Sequence, residues 1–186
     1  MNLISKEFNK YKIQQLTKKL AIKYSAQLAS LANLIPQVAY TEKEILAETK
    51  DERIFYGKWD HSLILFDNKK PIAIAIAYER ESEKNDQYPQ NTIYLSELAV
   101  DKQYQGKGIA KNFLKSFFSY NNKVKLKYLK GDLNYTIQTN SANWNKHVQD
   151  LYKSFGFFQR ATKNYENRVD LILGLNYPEF PDSCRF

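Results

Sequence analysis

The sequence predicts a mixed α/β fold, a central sheet with helices packed on it, and three stretches carry that reading. Residues 17–35 repeat apolar side chains at helical spacing. Residues 63–78 hold two β-type runs around a polar turn, and "IYLSELAVDKQYQGKGIAKNFLKSFF", Ile93 to Phe118, runs from an apolar strand pattern through glycines into an amphipathic helix. At 186 residues, 43% hydrophobic and 26% charged, the chain has the size and balance of one globular domain, 1–186.

The elements follow in order. "YKIQQL" near the start adds a candidate strand. From Thr17 to Ile35, the residues Leu20, Ala21, Tyr24, Leu28, Leu31 and Ala32 form one apolar helix face, with Pro36 just beyond. "NLIPQVAY" is a loop. Thr41 followed by Glu44 matches a capping box, which predicts a short second helix. Strands at Leu63 to Phe66 and Ile72 to Tyr78 make a hairpin around Asp67-Asn68-Lys69-Lys70; alanines at 73, 75 and 77 weaken its β-propensity and isoleucines at 72, 74 and 76 restore it. Ser82 to Asn91, with Pro89, is a loop before the strand of the long stretch. A helix from Gly108 to Tyr120 has Ile109, Phe113, Leu114, Phe117 and Phe118 on its apolar face. "LNYTIQT" is a strand, Asn140 or Ser141 caps a helix through Ser154 that Gly156 stops, and strands follow around Phe157 to Ala161 and Val169 to Leu173. The tail, about 176–186, is irregular. This order makes six strands, seven with the first.

Composition limits the function. The first residues lack the pattern of a signal peptide and no run approaches a membrane span, so a cytoplasmic protein is expected, with no membrane partner. A single cysteine, Cys184, excludes an internal disulfide and a cysteine zinc site, and His61 and His147 leave little for a histidine site, so no metal is expected. The net charge of +8 suggests an anionic partner: a nucleic acid, a membrane surface or a phosphorylated cofactor.

The strand-to-helix turn narrows this choice. Glycines there let backbone approach a ligand, and the unpaired amides of the following helix favour phosphate. A P-loop would need Lys and Ser or Thr after its last glycine, but Ile109 follows Gly108. A dinucleotide fingerprint would need a third glycine where Lys111 stands. What remains is Gln103-x-x-Gly106-x-Gly108.

That pattern resembles the pyrophosphate-binding motif, Q/R-x-x-G-x-G/A, of the GNAT acyltransferase superfamily. The strand "IYLSELAV" is similar to the family's fourth strand, whose end splays open to pair with the pantetheine arm of coenzyme A. "NKHVQDLYKSFGF" resembles its later signature, N-x-x-A-x-x-L-Y then G-F, with Asn145, Leu151, Tyr152, Gly156 and Phe157 in place and Val148 where alanine is usual. The resemblance covers roughly the last two thirds of the chain. It implies a GNAT-like α/β (α+β) fold, with a mixed, mostly antiparallel sheet of six or seven strands flanked by about four helices.

It also implies an acetyl-CoA-dependent N-acetyltransferase acting on a primary amine by direct transfer in a ternary complex. Glu97 takes the position of the base in many members and Tyr152 that of the general acid. The cofactor-binding set is Leu98, Ala99, Val100, Gln103, Gln105, Gly106, Lys107, Gly108, Ile109 and Ala110, with Asn145 and Tyr152 on the arm. Lys102, Lys107, Lys111 and Lys115 surround the helix start and could attract phosphates, although each also reads as a solvated lysine. Plain alternation puts Leu95 and Glu97 on one strand face and Ser96 and Leu98 on the other, so Glu97 also reads as a solvated residue. His147, five residues from Tyr152, reads as an exposed helix residue.

The family's acceptor site would lie among "NLIPQVAY", "ESEKNDQYPQN" and "TKNYENR". Glu79, Glu81, Glu83 and Asp86 give an acidic rim there, and Tyr40, Tyr88 and Tyr165 are candidate lining residues. The acceptor stays open among a small molecule, a protein and an aminoacyl-tRNA; so do the acyl length and a homodimer. Two other classes remain: a non-catalytic nucleic-acid-binding module, given +8 and 15% aromatic residues, and an acyl-CoA sensor without turnover.

Overall fold

The computed structural model describes residues 8–36, 39–51, 53–80, 92–124, 127–129 and 136–176. Among the described residues there are nine strands: β1 (Lys12–Gln15), β2 (Thr49–Lys50), β3 (Arg53–Ile54), β4 (Leu63–Asp67), β5 (Lys70–Arg80), β6 (Thr92–Val100), β7 (Thr136–Ala142), β8 (Phe158–Tyr165) and β9 (Arg168–Asn176). The helices are α1 (Lys18–Lys23), α2 (Ser25–Ala32), α3 (Glu42–Leu46), α4 (Lys58–His61), α5 (Ile109–Val124) and α6 (Lys146–Lys153). Seven strands form one sheet in the order β1-β4-β5-β6-β7-β9-β8, and β2 and β3 make a separate hairpin. Every pair in the large sheet is antiparallel except β6 with β7. Among the described residues no helix is long and apolar enough to cross a membrane.

The alternation along β5 sorts the two faces. Ala73, Ala75 and Ala77 join the layer beneath α5, where Phe113, Leu114, Phe117 and Phe118 are buried. Small strand residues leave room for those rings. Ile74 and Ile76 join the opposite layer with Ala21, Leu28, Leu31, Ala32 and Ile45 of α1, α2 and α3. With both faces covered, β5 needs no polar side, which explains its unbroken apolar run.

The expected first helix is two. Tyr24 leaves helical geometry (φ −115°, ψ 21°), ends α1 and starts α2, and its ring packs 5.3 Å from that of Phe66. The Thr41 capping box forms as expected, with Glu44 reciprocating. The cap of α6 differs from the expected Asn140 or Ser141: β7 runs on through Ala142, and the Asn145 side chain accepts from Val148 N at 3.4 Å. Pairing with β9 continues to Ala142↔Asp170, and those ladder bonds keep Asn140 and Ser141 extended. The strands β2 and β3 and the helix α4 carry no signal in the sequence pattern because each is under five residues long. The expected loop at Ser82 to Asn91 lies outside the described residues, as does the expected irregular tail except for Asn176, which ends β9.

Candidate active site

The sheet opens where the parallel pair β6–β7 stops. β6 and β7 are joined at Thr92↔Thr136, Ile93↔Ile137 and Tyr94↔Gln138, and no further. Beyond that point β6 stays with β5 to Val100, and β7 stays with β9 to Ala142, so the two strands part as a fork. The local cause is a β-bulge: Ala77 faces Leu95 and Ile76 faces Glu97, leaving Ser96 as the extra residue. A bulge bends and twists its strand. It also resets the alternation, so Leu95 joins the layer under α5 while Ala99, two residues after Glu97, joins the layer under α1 to α3. Glu97 therefore lies on the face opposite Leu95, which corrects the plain alternation read from the sequence.

Both strands end at helix starts. After β6, Asp101 caps a 3-10 turn (Lys102–Tyr104), its carboxylate accepting from Gln103 N at 2.9 Å and pairing with Lys70 at 2.8 Å. Gly106 and Gly108 then take φ of +73° and +71°. A Cβ at Gly106 would meet nothing within 4 Å, so its requirement is conformational, for the left-handed region. The first helical bond of α5 runs from Asn112 N to Gly108 O at 3.2 Å, and the amides from Gly108 to Lys111 have no intrahelical acceptor. No acidic residue lies in that first turn. The nest of free amides suits a phosphate group.

The remaining members of the expected cofactor set distribute as follows. Leu98, Ala99 and Val100 lie on the β6 arm of the fork. Gln105 Nε2 donates to Val100 O at 2.8 Å, tying the turn to that arm. Lys107 folds back to give Gln103 O a hydrogen bond at 2.9 Å. Ile109 is buried and Ala110 half-buried at the start of α5. Asn145, beyond the β7 arm, is occupied as the α6 cap.

Tyr152 is 3% exposed, packed 5.2 Å from the Phe157 ring, and its hydroxyl is hydrogen-bonded to Thr139. Burial pushes its pKa up to about 12, so the phenol keeps its proton at neutral pH. Thr139 is the first β7 residue past Gln138, where pairing with β6 ends. The Tyr152 hydroxyl is therefore held at the crotch of the fork.

Glu97 lies on the other arm, three residues past the last β6–β7 pair, and is 5% exposed on the face toward α1 to α3, whereas Tyr152 packs in the layer under α5. Its Oε1 accepts from Tyr40 Oη at 2.5 Å and from Ser96 Oγ at 2.6 Å. Among the described residues Oε2 has no hydrogen-bond partner. Burial raises the carboxyl's pKa above the usual carboxylate range, and the two hydroxyls and the charges of Lys58 and Lys50 oppose that rise. A carboxylate poised in this way is suited to proton transfer. Burial also holds the pKa of Tyr40 far above that of an ordinary phenol, with the Glu97 charge adding to the effect.

The sequence pattern matches the Acetyltransferase (GNAT) family over residues 27–157. The chain belongs to the GNAT family. Solved structures share the fold of this acetyltransferase. The ribosomal-protein-S18-alanine N-acetyltransferase from Escherichia coli is 16% identical with a TM-score of 0.64, over 95% of this chain and 99% of that one. A NatC complex bound to Gag peptide and CoA is 19% identical with a TM-score of 0.65, over 89% and 98%. Arabidopsis thaliana Naa50, in complex with the bisubstrate analogue CoA-Ac-MVNAL, is 18% identical with a TM-score of 0.62, over 90% and 99%. No curated protein sequence matches.

The face of the acetyltransferase that carries Glu97 is aromatic. The rings of Phe55 and Tyr78 lie 4.4 Å apart, and those of Tyr78 and Tyr94 5.5 Å apart. Asn33 clamps Tyr40 from both sides, accepting from Tyr40 N at 2.6 Å and donating to Tyr40 O at 3.0 Å. Tyr40 is thus a direct partner of Glu97, which its position in the sequence did not show. Tyr165 is 41% exposed on the last hairpin, and Tyr88 lies outside the described residues.

Glu79 is not part of an acidic rim. It is fully buried, bonded to His61 Nε2 at 2.9 Å and accepting from the amides of Lys127, Tyr128 and Leu129 at 2.6, 2.9 and 2.8 Å. Four donors surround it, so its role is to pin the segment after α5. Glu81, Glu83 and Asp86 lie outside the described residues. His147 is exposed as expected, and Cys184 lies outside the described residues. Among the described residues there is no group of three or more His, Cys, Asp or Glu placed to hold a metal.

Proposed function

We propose that this chain transfers an acetyl group from acetyl-CoA to a primary amine by direct attack in a ternary complex. The observation that carries the proposal is the fork itself: Glu97 lies on its β6 arm, the Tyr152 hydroxyl of α6 is bonded to Thr139 on its β7 arm, and the amide nest of α5 follows the β6 arm. The residues fit the cosubstrate. The edge of β6 at Leu98 to Val100, paired with β5 on one side and past the end of its pairing with β7 on the other, suits an extended amide-bearing arm, with Val100 O already taken by Gln105, and the Gly106 to Ala110 amides suit a pyrophosphate. Acetyl-CoA supplies a thioester, an acyl donor with a thiolate leaving group.

The chain's own groups then handle two protons. Glu97 Oε2 accepts one from the amine, directly or through water, because Oε1 is already taken by two hydroxyls. Tyr152 Oη holds the other for the departing thiolate. A peptide α-amine is the first acceptor to try, since roughly a tenth of such groups are neutral at pH 7 against about one lysine amine in several thousand. The peptide and bisubstrate complexes of the fold neighbours support that order of testing.

The test is release of free coenzyme A from acetyl-CoA with a panel of peptides bearing free or blocked N-termini, alongside small amines. Turnover that requires a free amine supports the proposal. Acetyl-CoA binding with no turnover on any acceptor favours the sensor reading, and RNA binding without acetyl-CoA binding favours the nucleic-acid module.

A further inference from the structure

Among the described residues one buried lysine stands outside the reaction as described. Lys58, at the start of α4, is 5% exposed. Its Nζ donates to Ile45 O at 2.9 Å and Ala47 O at 2.6 Å, at the C-terminal end of α3. The same ammonium lies 5.4 Å from the centre of the Phe55 ring and 5.0 Å from that of Trp59. A lysine used only to cap a helix would keep its charge in water, since burying an ammonium is costly.

The surroundings of Lys58 lead to Glu97 along two routes. Phe55 packs on Tyr78, the Tyr78 hydroxyl is hydrogen-bonded to the Ser96 side chain, and Ser96 donates to Glu97. From the carbonyls it holds, α3 runs back to Thr41, and the preceding residue, Tyr40, donates to Glu97. Glu97 and Glu48 are the anions that favour the charged lysine. Glu48 is already paired with Lys18 at 2.9 Å and accepts from Trp59 Nε1 at 2.5 Å. Glu97 has no direct cationic partner among the described residues.

We propose that Lys58 is a positioning residue for acyl transfer: its buried positive charge favours the Glu97 carboxylate over the neutral acid, and its two hydrogen bonds fix the helix behind Tyr40. The inference rests on the acetyltransferase reading for its link to turnover, whereas the coupling of the two charges stands apart from it. The ionisable groups around Glu97 are Tyr40 from the loop before α3, Tyr78 of β5, Tyr94 of β6, Lys58 of α4 and Lys50 of β2. Lys58 and Lys50 favour its anion by charge, and of these Lys58 is buried and Lys50 exposed. Burial lowers the Lys58 pKa to about 8, so the charge is present at neutral pH and fades above it.

The test is carbon-13 NMR titration of the Glu97 carboxyl and the Lys58 side chain in the full chain, with Glu97→Gln assigning the carboxyl signal. Lys58→Met should raise the Glu97 midpoint by about one pH unit. The acid limb of kcat/KM should move by the same amount while acetyl-CoA affinity holds, and Lys58→Arg should reverse the shift at least in part. The reciprocal measurement needs no change at Lys58: in Glu97→Gln the Lys58 midpoint should fall below its wild-type value by a similar amount. That second arm decides the matter if Lys58→Met does not fold. An unmoved Lys58 midpoint in folded Glu97→Gln, or an unmoved Glu97 midpoint in folded Lys58→Met, overturns the proposal. Coupled midpoints with no transfer to any amine would leave the charge coupling in place and remove the acetyltransferase reading instead.

Discussion

Replacing Glu97 by Gln separates what the residue does for the fold from what it does for the reaction. The variant keeps the volume and keeps an Oε1 to accept from Tyr40 and Ser96, now 2.5 and 2.6 Å from the carboxylate. It removes a buried charge whose pKa burial has raised. Stability should therefore hold or rise, by about 1–3 kcal/mol, as when other buried charges are replaced by neutral groups. The pH dependence has a definite sign. A carboxyl whose folded pKa is raised binds more protons folded than unfolded, so its contribution is present below the unfolded pKa and is lost as pH rises through the folded value. The stability gap between variant and wild type should then be small at pH 4 and largest near pH 7. Turnover should fall about 10²- to 10⁴-fold, the usual contribution of a general base. Thermal unfolding at both pH values, with single-turnover acetyl transfer at pH 7, checks the two halves. A variant that is less stable at pH 7 yet fully active would refute the reasoning on both counts.

Two further substitutions test neighbouring parts. Tyr152→Phe should leave Thr139 short of one hydrogen bond at a cost of about 1–2 kcal/mol, spare acetyl-CoA affinity and slow turnover at least 100-fold; calorimetry and stopped-flow assays of the same preparation distinguish this from a purely structural tyrosine, which would lower Tm alone. Glu79→Gln would set an amide group against some of the four donors around the carboxylate and should cost about 3–5 kcal/mol, read as a drop in Tm of about 10 °C or more. Although burial opposes its ionised form, His61 and the backbone bonds hold the Glu79 pKa below the usual range. The stability it contributes should therefore be present above the unfolded pKa and lost as pH falls through the folded value, and a wild-type Tm that stays flat down to pH 3 would contradict this.

The fold was legible wherever long patterns set it. The Phe113, Leu114, Phe117 and Phe118 stripe of α5, the β4–β5 hairpin and the Thr41 capping box each announce themselves through a local rule that tertiary contacts do not override. The two helix errors came from side chains whose partners are remote in sequence: Tyr24 packs on Phe66, and Asn140 and Ser141 pair with Ile172 and Leu171 rather than capping a helix. In the site, the glycine turn was visible because Gly106 and Gly108 need their residue type for a backbone reason. The bulge at Ser96 was not, because one extra residue in a ladder depends on the strand beside it. The meeting of Tyr40 and Ser96 at the Glu97 carboxylate, and the burial of Lys58 against the end of α3, were hidden for the same reason, since spacing along the chain says nothing of either. Glu79 misled because a run of acidic residues resembles a solvated rim until its donors, 48 to 50 residues away, are seen.

The measurement closest to the central claim is calorimetric titration of the chain with acetyl-CoA, with Gly108→Trp as the comparison. Gly108 holds φ at +71° beside the free amides of α5, and an indole there would both strain the turn and fill the phosphate nest. The account predicts one-to-one binding by wild type and none by a Gly108→Trp protein that stays folded at the assay temperature, with its unfolding temperature lowered by the strain of that turn. Equal binding by both, or no binding by wild type, would contradict it.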